Sequence, residues 1–174
     1  TVNLILCDGV TVTLNKGIAL NGQYTKPATL NIYAQSGGTG KLICSGQSDS
    51  GRAGIYDNSA RDGNETALNI YGGTVTAKSG GPGAAAIGNG TNPKGTVTVK
   101  IAPGMKCVKT DDPNTAYDYG NTDGTSVTVT KCSEHVWEYT YTEDSSTHTK
   151  TCTLCGTVEK PEAHKAEKYV SVSE

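Results

Sequence analysis

The chain has no phenylalanine, one methionine and one tryptophan, and aromatic residues make up only 6 % of its 174 positions. An interior built on large rings is excluded, so any core must be filled by smaller aliphatic side chains. Charge is scarce at 18 %, and fifteen basic against seventeen acidic side chains leave a net charge of -2. Arginine occurs only at Arg52 and Arg61. With no basic stripe, nucleic acid is not an expected partner. No apolar run reaches membrane length, so no direct membrane contact is expected in this stretch. No segment carries an apolar stripe at helical spacing. Phosphate-binding loops, dinucleotide fingerprints and nucleophile elbows are missing: neither Gly37-Gly38 nor Gly80-Gly81 is followed by Lys-Ser or a helical pattern. All three histidines lie in the last quarter, so the rest of the chain has none for a Ser/His/Asp triad. The text opens at Thr1 and ends in charged residues around 167–174, and we expect a piece cut from a longer polypeptide.

Glycine is abundant at 22 residues, and much of it falls in an internal repeat. Residues 29–58 read TLNIYAQSGGTGKLICSGQSDSGRAGIYDN, and residues 67–90 read ALNIYGGTVTAKSGGPGAAAIGNG. Leu30 and Leu68 open equivalent segments. Weaker copies run from Val2 to Gly22 and from Thr96 to Gly120, with a half-copy at Ser126–Lys131. Each unit holds three short segments. The first set is Leu4–Cys7, Leu30–Tyr33, Leu68–Tyr71, Val97–Lys100 and Val127–Thr130. The second is Val10–Leu14, Lys41–Ser45, Thr74–Lys78 and Lys106–Lys109. The third is Ile18–Leu20, Gly54–Tyr56, Ala85–Ile87 and Ala116–Tyr119. Val75 and Ala77 alternate with Thr74, Thr76 and Lys78, and Val127 and Val129 with Ser126, Thr128 and Thr130. Period two with one apolar face is the strand pattern, and Thr and Val branch at Cβ and favour extended backbone.

The fold class expected is all-β. Three short strands per unit with glycines at the corners describe a parallel β-helix of about four coils over residues 1–130. Leu30 over Leu68 and Ile32 over Ile70 would form its core ladder, with Asn31, Tyr33, Asn69 and Tyr71 facing out. The competing architecture is an antiparallel sandwich with hairpins at Asp8-Gly9 and Gly72-Gly73.

After Lys131 glycine almost vanishes, and a second module is expected over residues 131–174. It gathers Cys132, His135, His148, Cys152, Cys155 and His164 in the spacing C-x2-H, then H-x3-C-x2-C, then H. Thiolate and imidazole suit tetrahedral zinc, and so small a module gains folding free energy from the ion. Six candidates compete for one four-coordinate site. Cys152 and Cys155 lead, with Cys132 and His135 as the natural second pair. A disulfide among these cysteines, or free thiols, is the other reading. Cys7, Cys44 and Cys107 read as small core residues. Trp137, Tyr139 and Tyr141 alternate on one face and are expected to supply the tail's small core.

The LNIYGGTVTA…GGPGAAAIGNG text at Leu68–Gly90 resembles Gly-rich repeats of large surface proteins from gut Gram-positive bacteria. His135–Trp137, Cys152–Gly156 and His164 resemble a small Cys/His, zinc-ribbon-like repeat of the same class. The resemblance implies a right-handed parallel β-helix in an exported, wall-associated, multidomain parent, and some such repeats are described as carbohydrate-binding. The departure is Tyr56–Asp57 with the insertion at residues 58–65.

A structural or adhesive module is therefore expected first, with a cell-surface or host glycan or protein as partner. A carbohydrate-binding module comes second, with Tyr33, Tyr71, Asn31 and Asn69 on one ladder and Tyr56, Asp57, Tyr117 and Asp118 as a second group. Lyase or hydrolase chemistry comes third: paired carboxylates across a sugar are not marked by any spacing. Calcium at Asp111, Asp112 and Asp118 is the alternative cofactor, although an Asp-Asp-Pro-Asn turn needs no metal.

Overall fold

The computed structural model describes residues 1–20, 28–48, 51–57, 65–88, 96–141 and 147–163. Among the described residues the chain is all-β. The first repeat supplies β1 (Val2–Leu6), β2 (Thr11–Leu14) and β3 (Ile18–Leu20). The second supplies β4 (Thr29–Ala34), β5 (Lys41–Ser45) and β6 (Ile55–Asp57), and the third β7 (Glu65–Ile70), β8 (Thr74–Lys78) and β9 (Ile87–Gly88). Then come β10 (Thr96–Ile101), β11 (Met105–Lys109) and β12 (Val127–Lys131), followed by β13 (Trp137–Tyr141), β14 (Thr147–Cys152) and β15 (Glu162–Ala163).

Equivalent strands of successive repeats lie side by side in parallel. One sheet has the order β1-β4-β7-β10, another β3-β6-β9, and β2, β5 and β8 run parallel through a third. The register follows the sequence repeat: Leu30 pairs with Leu68, Asn31 with Asn69 and Ile32 with Ile70. Ile32, Leu68 and Ile70 are fully buried, while Tyr33 and Tyr71 are exposed. The other two sheets contribute Leu42 over Val75, Cys44 over Ala77, and Ile55 over Ile87, all buried. No repeat buries these side chains alone. Each side chain is covered by its equivalents above and below, at roughly 2 kcal/mol per fully buried aliphatic residue.

The corners are stitched between repeats. Asp8, after β1, accepts the N–H groups of Gly37 (2.9 Å) and Thr39 (3.0 Å) from the following repeat. Gly46, after β5, donates its N–H to the Lys78 carbonyl at 2.8 Å. A Cβ there would stand 2.0 Å from the Arg52 carbonyl oxygen, so only glycine fits.

The fourth repeat departs from expectation. Val127–Thr130 was expected in the first strand set and Lys106–Lys109 in the second. Instead β12 runs antiparallel beside β8, with Val129 opposite Val75 and Val127 opposite Ala77. β11 is pushed to the outer edge, antiparallel to β12. Side chains explain the exchange. β12 turns Val127 and Val129 into the core, both fully buried, and pairs Thr128 and Thr130 with Thr76 and Thr74 at 3.1 Å. β11 packs Met105 and Cys107 on the same core from the outer edge, and its buried Lys106 donates to the Pro113 carbonyl at 2.9 Å. Residues 116–119 are not a strand either. Ala116 bridges Val108, while the Tyr119 carbonyl accepts the Ile87 N–H at 3.1 Å.

The last strands form an antiparallel sheet, β13-β14-β15. Its small core joins Cys132, Cys152 and Leu154 to Val108 of β11, with Trp137 and Cys155 packed against it. Tyr139 and Tyr141 do not supply this core. They are 46 % and 64 % exposed and lie beside the His148 ring.

Candidate metal centre

Two local structures bring the ligands together. Cys132 directly follows β12, and its N–H donates to the Gly104 carbonyl at 2.9 Å. The chain then turns back through His135 into β13. Across the hairpin, β14 ends at Cys152 and a tight turn brings Cys155 back over it, with the Gly156 N–H bonded to the Cys152 carbonyl at 2.9 Å. Gly156 has φ 69, a left-handed conformation that glycine adopts at little cost. The Thr153 N–H bonds the Val136 carbonyl at 2.8 Å and ties the two turns together.

The donor atoms of Cys132, His135, Cys152 and Cys155 all lie within 4.8 Å of one another. Nδ1 of His135 is 3.5 Å from Sγ of Cys132 and 3.5 Å from Sγ of Cys155, and the Cys132 and Cys152 sulfurs are 3.9 Å apart. Zinc bonds of about 2.3 Å to sulfur and about 2.05 Å to nitrogen would set tetrahedral edges near 3.8 Å and 3.5 Å. Three of the six edges, at 3.5, 3.5 and 3.9 Å, match those lengths. The six cysteines are free thiols. Cys132 and Cys152 are buried. Burial, reinforced by the neighbouring thiols, pushes Cys132 up to about 12. Burial also acts upward on Cys152, but the His135 ring and the N–H groups of Leu154 and Cys155 outweigh it and bring that thiol down to about 6. A soft divalent cation would relieve this crowding by holding every sulfur as thiolate.

The two remaining tail histidines are placed differently. His148 stands opposite Tyr141 at the far end of β14, four residues before Cys152, or about 13 Å along a strand. It is not part of the cluster. His164 lies outside the described residues. No second group of three or more Cys, His, Asp or Glu side chains comes together among the described residues, so Asp111, Asp112 and Asp118 form no calcium cage there. Asp112 instead accepts the Asn114 N–H and Asp118 the Gly120 N–H, each closing its own turn.

The ladder residues are also in place. The rings of Tyr33 and Tyr71 are 4.9 Å apart and inclined by 12°. The Asn31 amide donates to Oδ1 of Asn3 at 2.8 Å, and Asn69 to Oδ1 of Asn31 at 2.8 Å. Tyr56 and Asp57, expected at the surface, are corrected to buried positions at 7 % and 6 % exposure. Asp57 accepts the Thr66 hydroxyl at 3.1 Å, and the Arg52 guanidinium lies over the Tyr56 ring. Residues 58–64 of the adjoining insertion lie outside the described residues.

One feature had no sequence signal. An open cavity of about 500 Å³ separates Ile101, Met105, Cys107 and Tyr117 from Leu154 and Cys155. Its walls come from segments far apart in the chain. No helix among the described residues is long and apolar enough to cross a membrane. No family model, curated protein or solved structure matches the chain.

Proposed function

We propose that this chain is a non-catalytic structural or adhesive module of a larger extracellular surface protein. In this reading residues 1–130 are a right-handed parallel β-helix of about four coils. Residues 131–174 are a Cys/His module holding one structural zinc through Cys132, His135, Cys152 and Cys155. Four protein donors saturate a tetrahedral ion, which leaves no open position for substrate and favours a structural over a catalytic metal. The partner is a cell-surface or host glycan or protein.

The observation that carries the non-catalytic reading is the outward ladder. Groups that would meet a ligand meet each other instead. The asparagine amides bond along the stack, and Tyr33 and Tyr71 cover one another's faces. A sugar stacks on an open ring face, and here one face of each ring is taken by the other. Carbohydrate binding stands as the second reading because Tyr71 remains 50 % exposed.

A glycan array probed with the intact, zinc-loaded protein tests this. The structural reading expects no glycan-specific signal. A signal abolished by Tyr71→Ala would put the second reading in its place. Elemental analysis with thiol counting tests the metal independently, with one zinc per chain expected.

A further inference from the structure

The four clustered donors are not equally sheltered. Cys132 and Cys152 are 5 % and 1 % exposed, whereas Cys155 is only half-buried. Cys155 stands in the wall of the open cavity of about 500 Å³, together with Leu154 from its own turn and Ile101, Met105, Cys107 and Tyr117 from the strand stack. No charged side chain of the described residues lines that cavity. An uncharged, largely apolar pocket of this size, set where two parts of a fold meet, admits a small neutral molecule and penalises an ion. Such a molecule would meet two thiols, and they differ. Burial, with the Asp118 charge adding to it, pushes Cys107 up to about 11, so it stays protonated near neutral pH. A metal-held Cys155 is a thiolate, and the thiolate is the nucleophile.

We propose that Cys155 is an oxidation site whose substrate is a small neutral hydroperoxide entering through this cavity. The proposal rests on the zinc reading of the cluster. The Cys155 thiolate attacks the outer peroxide oxygen: an S–O bond forms, the O–O bond breaks, and the alkoxide leaves and takes a proton from water to become an alcohol. The Cys155 sulfur is then a sulfenic acid. The Cys152 sulfur lies within 4.8 Å of it, on a two-residue turn that suits a disulfide. Its thiolate attacks the sulfenic sulfur: the S–S bond forms, the S–O bond breaks, and hydroxide leaves and is protonated to water. The two cysteines lose two electrons and the peroxide gains them. Only Cys132 and His135 then remain as donors, too few to retain zinc. The joint to the strand stack is affected as well. Val108 of β11 packs in one buried cluster with Cys132, Cys152 and Leu154, so a loosened turn uncovers β11.

The test treats the full, zinc-loaded chain with excess cumene hydroperoxide, follows zinc release with a chromogenic chelator, and maps the product by peptide mass spectrometry. Cys7→Ser is the background, because Cys7 is exposed and would react on its own account. One zinc released per chain and a Cys152–Cys155 disulfide are expected, with faster hydrogen exchange at β11. A thiol reductant with added zinc should restore the starting state. Ala116 is an exposed residue of the cavity wall and no metal donor, so Ala116→Trp fills the cavity and should slow release at least about fivefold. An unchanged zinc content and melting curve show that this variant is folded. Zinc retained while oxygen is added at Met105 overturns the proposal, as does a disulfide without Cys155 or an Ala116→Trp rate equal to that of the background. A chain that holds no zinc before treatment overturns the metal reading, and this proposal with it.

Discussion

Asn69 donates its side-chain amide to Oδ1 of Asn31 at 2.8 Å, so the residue that repeats in sequence also hydrogen-bonds to its own repeat in space. Asn31 is the middle rung and makes a second such bond to Asn3. Removing it breaks both. Asn31→Ala is expected to cost about 1–2 kcal/mol. For a chain of this size that lowers Tm by roughly 2–8 °C. Asn3→Ala, at the solvent-exposed end with one bond, should cost less. Paired thermal melts check the order.

The metal assignment separates side chains that spacing alone could not rank. Cys132→Ser, His135→Ala and Cys152→Ser each remove a donor from the cluster. Each should weaken zinc more than about a hundredfold, beyond the usual effect of losing a supporting contact. His148→Ala should leave one zinc bound, because His148 faces Tyr139 and Tyr141 instead. Trp137 is the one tryptophan and its ring lies 4.8 Å from that of His135. Its fluorescence should change on chelation, and competitive titration gives the affinities.

Much of the stack was legible because its signals are local and repeated. LNIY recurs, period two marks which side chains turn in, and identical residues fall into register. What failed was the assignment of strands by resemblance to the repeat alone. MKCVK at β11 and VTVTK at β12 are both strands, but Val127 and Val129 of the second take the fully buried places opposite Ala77 and Val75 of β8. That competition is decided by burial across the chain, which spacing does not encode. Tyr56 and Asp57 failed for the same reason: alternation gives a side, not the cover placed over it. For the metal centre, the Cys-x2-Cys and Cys-x2-His spacings identified the four clustered donors. The choice against His148 depended on the hairpin register that carries it away from the thiols.

Gly46 gives a test of the close packing between repeats. A methyl group there would overlap the Arg52 carbonyl and press on the Gly80 N–H, 2.7 Å away. Those atoms already bond each other at 3.0 Å, so the clash falls on backbone and cannot be relieved by a rotamer change. Gly46→Ala is expected to destabilise by about 3 kcal/mol. Gly9→Ala places its methyl in open space and pays only for its φ of 73, about 1 kcal/mol. Urea unfolding of the two variants should differ in midpoint with similar slopes.

Acid should act on the stitch made by Asp8. The Thr39 N–H, foremost, and the Gly37 N–H hold this carboxyl below its ordinary value of 3.8 against a smaller opposing effect of desolvation. A carboxylate with a lowered folded pKa contributes stability above its unfolded value and loses that contribution as pH falls through the folded one. The wild type should therefore weaken, as pH falls below about 4, by more than Asp8→Asn does. Asp112 and Asp123 are also lowered, by the Thr115 and Tyr117 hydroxyls, so the total acid curve sums several groups. Subtracting the Asp8→Asn curve removes those shared contributions, because both lie far along the chain from the Asp8 corner. Chemical unfolding of both proteins across that range gives the difference. A difference that stays flat with pH would mean that the corner holds without its charge, and that the Gly37 and Thr39 N–H groups are satisfied equally well by the neutral amide oxygen of asparagine.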